Sequence, residues 1–147
     1  MTESNSSNGL ARRVVELALA KKGEDVLLMD LRGVLDVTDF FVIATGYSEI
    51  QVQAIADAIV DGSREAGEAP AHVEGRAGGR WVLIDFIDVV AHVMLPEERE
   101  KYKLDRLWGD AAYSRYDETG AVVEERPASR DEDRREPPTA SEQETAS

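Results

Sequence analysis

Two pairs of aspartates, two histidines and one serine are the side chains here whose chemistry has to be settled first. Asp36 and Asp39 share a D-x-x-D spacing with Asp85 and Asp88. Residues three apart on a strand point to opposite faces, so neither pair grips one metal ion unless a turn lies between its members. His72 and His92 are the only histidines, and neither has a second ligand at metal-binding spacing. Each reads as a hydrogen-bonded or half-exposed residue. Ser48 follows Gly46 and could suggest a nucleophile. Gln51 three positions later makes it instead the N-cap of a helix, the opening half of a capping box. No Walker-type phosphate loop and no dinucleotide fingerprint occurs, so the chain makes a weak enzyme and no cofactor is implied.

A binding surface is the stronger reading. Trp81, Tyr102 and Trp108 are large amphipathic side chains in a short span, the kind that carries energy at interfaces. Core packing is the competing role, most strongly for Trp108. Trp81 to Phe86 is almost continuously apolar and reads as a strand. Asp88 to Leu95 reads as a second, with Val89, Ala91, Val93 and Leu95 on one face and Asp88, Val90, His92 and Met94 on the other. Too little chain separates them for a parallel crossover, so they form an antiparallel hairpin. With Phe86 and Ile87 as the central turn residues, Asp85 stands opposite Asp88, Leu83 opposite Val90 and Trp81 opposite His92. That face would hold an indole, an imidazole and two carboxylates, a poor closed core. The aspartates either point to solvent or accept turn N–H bonds. Trp81 and His92 form one rim of a docking surface.

The rest of the chain must position that hairpin. At 147 residues, one domain is expected. Residues 1–8 form a polar, disordered arm, 9–116 the folded domain, and 117–147 a disordered acidic tail. Leu10, Val14, Leu17 and Ala18 mark a first helix, with Gly23 as its C-terminal cap. Asp25–Leu31 and Phe40–Gly46 are strands. Val52, Ile55, Ala56, Ile59 and Val60 give the buried face of the helix that Ser48 opens. Ala71–Glu74 makes a short strand, and Pro96 starts a last helix after the hairpin. Five strands in a mixed sheet flanked by helices, a mixed α/β (α+β) domain, fit this order.

The formal net charge of −13 argues against a free-standing electrostatic binder of nucleic acid and favours a cationic partner or a solvated acidic surface. The absence of cysteine excludes disulfides and thiolate metal sites. The first residues lack a secretory pattern and no run reaches membrane-spanning length, so a cytoplasmic protein is expected.

Five blocks, in order, resemble the Iojap family, the ribosomal silencing factors (RsfS). They are Asp36–Gly46, Val73–Gly75, Trp81–Asp85, Asp88–Met94 and Tyr102–Trp108, and the likeness runs from about Leu10 to Trp108. The resemblance implies a domain related in fold to nucleotidyltransferases but without catalysis, and a homodimer when free. It implies attachment to the large ribosomal subunit through the ribosomal protein L-fourteen. Bound there, such a protein obstructs joining of the small subunit and lowers translation under starvation. Trp81, His92 and Tyr102 match the family's ribosome-facing patch, and Asp85, Asp88 and Asp105 are expected to pair with lysines and arginines of the partner. One position departs: the family commonly has glycine where Ile87 stands, and a β-branched residue disfavours positive φ. The alternative is a nucleotidyltransferase-like enzyme, motivated by the Thr45-Gly46-Tyr47-Ser48 turn before a helix. Its expected D-x-D carboxylate pair occurs only as Asp131 and Asp133, in the tail.

Overall fold

The strand that fixes the architecture is the apolar run Phe40–Thr45, buried at every position. A strand with both faces covered belongs at the centre of a sheet, and this one lies there. The computed structural model describes residues 7–108 and 111–127. Its elements are α1 (Ser7–Ala20), β1 (Glu24–Asp30), β2 (Phe40–Thr45), α2 (Glu49–Glu65), β3 (His72–Glu74) and β4 (Trp81–Asp85). They continue with β5 (Val89–Met94), α3 (Pro96–Tyr102), α4 (Leu104–Leu107), β6 (Ala112–Tyr116) and β7 (Val122–Arg126). The strands form one mixed sheet ordered β3-β4-β5-β2-β1-β6-β7, in which β2 and β5 are parallel and the other neighbours antiparallel.

Helices α1 and α2 cover one face, their Leu10, Val14, Val52, Ile55 and Ile59 meeting Val42, Val82, Ile84 and Val93 of the sheet. Ser48 caps α2, its Oγ accepting from the Gln51 N–H at 3.0 Å, while the Gln51 side chain accepts from the Tyr47 N–H at 2.7 Å. The end of α1 is a Schellman motif: the Gly23 N–H reaches the Ala18 carbonyl and the Lys22 N–H that of Leu19. Lys22, not Gly23, takes the left-handed position, at φ 66°. The opposite face has thinner cover. Leu27, Met29, Leu31, Phe41, Ile43 and Met94 pack there beneath Leu104, Ala111 and Trp108.

Three expectations are corrected. The sheet has seven strands rather than five, because β6 and β7 extend it beyond β1. β7 lies inside the stretch expected to be a disordered tail, and residues 1–6 and 128–147 of the two expected polar ends lie outside the described residues. The hairpin register is displaced by two: Trp81 pairs with Met94, Leu83 with His92 and Asp85 with Val90. The turn is centred one residue later than expected, on Ile87 and Asp88, with the Phe86 N–H donating to the Val89 carbonyl at 2.8 Å. Inside it, the Asp88 N–H donates back to the Phe86 carbonyl at 3.0 Å across Ile87, which stands at φ 77°. That is the tight γ-turn ordinarily strained for an L-residue. The side-chain faces of β5 are nonetheless those expected, Val89, Ala91 and Val93 inward to the helices and His92 and Met94 away.

Candidate functional site

On the face away from α1 and α2, five rings stand in a row across β4, β5 and β2. Tyr102, at the end of α3, lies 4.8 Å from Trp81, ring centre to ring centre. Trp81 is 6.0 Å from His92, His92 is 4.5 Å edge-on from Phe41, and Phe41 is 5.3 Å from Trp108 in a T-shaped contact. Such tilted and edge-to-face pairs suit ring quadrupoles and hold each ring in one orientation. The displaced register makes Trp81 and His92 diagonal neighbours, still within reach for side chains this long. The Trp81 indole N–H donates to His92 Nδ1 at 3.1 Å. Since Nδ1 accepts, the neutral ring carries its proton on Nε2. Burial pushes the His92 pKa down to about 4, so the imidazole is neutral at pH 7 and this bond is kept. Tyr102 is 43 % exposed and ends the ledge in solvent, with the Lys101 ammonium 5.3 Å from its ring centre.

The ledge continues past Phe41 into a cleft of about 480 Å³ between the β1–β2 connection and the β4–β5 hairpin. Leu35, Val37, Leu83, Val90 and Trp108 make its lining mainly apolar, and Asp85 and Ile87 stand at it. Two backbone bonds pin the connection to the hairpin, from the Asp39 and Phe40 N–H groups to the Asp88 carbonyl. Gly75 controls the approach of the neighbouring loop: at φ 83°, an added Cβ would lie 2.1 Å from the Trp81 carbonyl oxygen.

The six expected site residues are therefore not all together. Trp81, His92 and Tyr102 touch in series. Asp85 and Asp88 flank the hairpin turn, the Asp85 carboxylate accepting from the Ile87 N–H at 2.7 Å, and neither has an ion-pair partner among the described residues. Asp105 has other neighbours. It lines a polar depression with Asp25, Thr45 and Arg99, its carboxylate 4.0 Å from the Arg99 guanidinium. Phe41 and the cleft were missed in the sequence, although the alternation of β2 places Phe41 with Ile43 on the ledge side. Among the described residues no three His, Asp or Glu side chains are grouped to hold a metal ion, and no helix is long and apolar enough to cross a membrane.

The family model described as "Ribosomal silencing factor during starvation" matches residues 4–146. The chain belongs to the RsfS family. Ribosomal silencing factor RsfS of Bacillus subtilis (strain 168) is 47 % identical over 91 residues, which are 62 % of this chain and 77 % of that one. A crystal structure of a Chromobacterium violaceum protein superposes with a TM-score of 0.69 at 35 % identity, covering 71 % of this chain and 87 % of that one. The mouse protein "Mitochondrial assembly of ribosomal large subunit protein 1" is 30 % identical over 98 residues, 65 % of this chain but 43 % of its own length. This RsfS chain thus keeps the fold of its solved relative and presents its ring ledge on the thinly covered sheet face.

Proposed function

We propose that this RsfS chain docks on the large ribosomal subunit through the ribosomal protein L-fourteen and, by occupying space, keeps the small subunit from joining. The observation that carries the reading is the Tyr102–Trp81–His92–Phe41–Trp108 ledge, an aromatic row ending at a cleft lined by Asp85, with Asp88 in the same turn and neither carboxylate ion-paired among the described residues. Aromatic anchors supply affinity, while complementary charge speeds encounter with a basic ribosomal protein and selects it. Family membership and the large-subunit name of the mouse relative support the partner. The mechanism needs no bond making, because excluded volume does the work. The protein acts in the cytoplasm during nutrient limitation, and the free form is a homodimer. Trp81 and Tyr102 make the contact, His92 holds the Trp81 indole in place from beneath, Asp85 and Asp88 pair with cations at its edge, and Asp105 contributes through Arg99.

Sedimentation with purified large subunits tests this. The wild-type chain is expected to travel with them and to slow subunit association in light scattering. Trp81→Ala should weaken capture by about 30-fold, roughly 2 kcal/mol, with an unchanged circular dichroism spectrum. Tyr102→Ala, at a more exposed position, should cost about tenfold. Subunits that join equally fast in the presence of saturating protein would end the proposal. Binding should also loosen as salt rises, because carboxylate–cation pairs at a rim are screened. A salt-independent affinity would remove the acidic residues from the account.

A further inference from the structure

Ile87 is an anomaly in physical terms. Its φ of 77° is a conformation that disfavours a β-branched side chain, yet 57 % of the residue is exposed, so no core packing compensates the strain. Val37 faces the same cleft at 78 % exposed. Together they make two apolar lips on a cleft whose mouth is acidic. Asp85 lines it, Asp88 lies in the same turn and Asp36 precedes Val37, and none of the three has a cation within ion-pair distance among the described residues.

We propose that Ile87 is a docking residue: with Val37 it grips the aliphatic stem of a lysine or arginine presented by a protein partner, whose charge meets Asp85 and Asp88. The inference rests on the docking reading above and extends it from the ring ledge to the hairpin tip. An apolar stem with a cationic end is the side-chain chemistry that matches an apolar cleft with a carboxylate mouth. A nucleic-acid backbone would meet uncompensated carboxylates there. The strained isoleucine is retained because its side chain binds, where a glycine would only turn the chain.

The decisive variant is Ile87→Gly, which separates stability from binding. Relief of the strained backbone should raise Tm by about 4 °C. Loss of the lip should weaken capture by purified large subunits about fivefold or more. Binding at or above the wild-type level overturns the inference, as does a Tm that falls. The Asp85→Asn/Asp88→Asn pair keeps the acceptor for the Ile87 N–H and should flatten the salt dependence of binding. An unchanged salt slope counts against the cationic occupant. Benzoylphenylalanine at position 37, photolysed on large subunits, should give an adduct on a protein segment with a lysine or arginine adjoining. An RNA adduct, a segment without a basic residue, or no adduct overturns the assignment. Wild-type protein that fails to sediment with large subunits overturns the docking reading itself; wild-type binding with an indifferent Ile87→Gly overturns only the role of the cleft.

Discussion

Arg99→Met is expected to destabilise the fold by about 3 kcal/mol, the low end of the range for stripping one partner from a buried charge network. Arg99 is 8 % exposed in α3. Its Nη1 donates to the Asp25 carbonyl at 2.7 Å and to Thr45 Oγ1 at 2.9 Å, and its Nη2 lies 3.6 Å from the Asp25 carboxylate. One guanidinium thereby ties α3 to the start of β1 and the end of β2. Burial lowers its pKa, and the Asp25 and Asp105 charges oppose that, so the group stays charged. Methionine preserves the stem but leaves the carbonyl and the buried hydroxyl without a donor. The loss stays near the lower limit because Asp25 is partly solvated and keeps its pair with Arg115. Urea unfolding should show a lower midpoint with an unchanged slope. Coupling in a double-mutant cycle should be clear with Thr45→Val and below about 1 kcal/mol with Asp105→Asn, whose pair spans 4.0 Å. A midpoint equal to wild type would mean that the network contributes nothing. Because α3 also carries Tyr102 to Trp81, the variant should bind large subunits less well than its folded fraction explains.

Nothing in the sequence marked Arg99. It sits among Glu97, Glu98 and Glu100 and looks like part of a solvated helix face. Only the tertiary fold turns it inward. The central strand was legible for the opposite reason: Phe40–Thr45 is apolar throughout, and no solvent-facing pattern competes. The edge hairpin β6–β7 was not, because its stability comes from polar pairs across the strands. Tyr113 and Arg115 both reach Glu124, and Arg126 donates to the Ala111 carbonyl. Apolar alternation cannot find such strands, although the tight Asp117–Gly120 turn, with Asp117 accepting from the Thr119 and Ala121 N–H groups and Gly120 at φ 90°, carried a turn signal. The family blocks contain Trp81, His92 and Tyr102, which the structure brings into one row, while their cross-strand partners hung on the backbone at Ile87. With Ile87 at positive φ the turn is centred one residue later, and every pair moves by two.

Acid should loosen the ledge before it unfolds the rest, and His92 sets the window. Its folded pKa is lowered to about 4 by burial, against an ordinary value near 6.5. The unfolded chain therefore binds the proton first, so stability is full above about pH 6.5 and falls as pH drops toward 4. The loss from this residue should reach about 2 kcal/mol by pH 5 and about 3 kcal/mol by pH 4. A protonated Nδ1 also cannot accept from the Trp81 indole, so the bond at 3.1 Å breaks and the indole loses its fixed orientation. Urea midpoints measured between pH 7 and 5 should fall for wild type and stay nearly level for His92→Gln, with a parallel change in tryptophan fluorescence in wild type alone. Equal slopes in the two proteins would place the acid-sensitive group elsewhere. The rings Phe41 and Trp81 that keep His92 dry also keep it neutral. The ledge is accordingly held in one arrangement at neutral pH because its imidazole is kept uncharged, and a surface so held loses little side-chain freedom on binding.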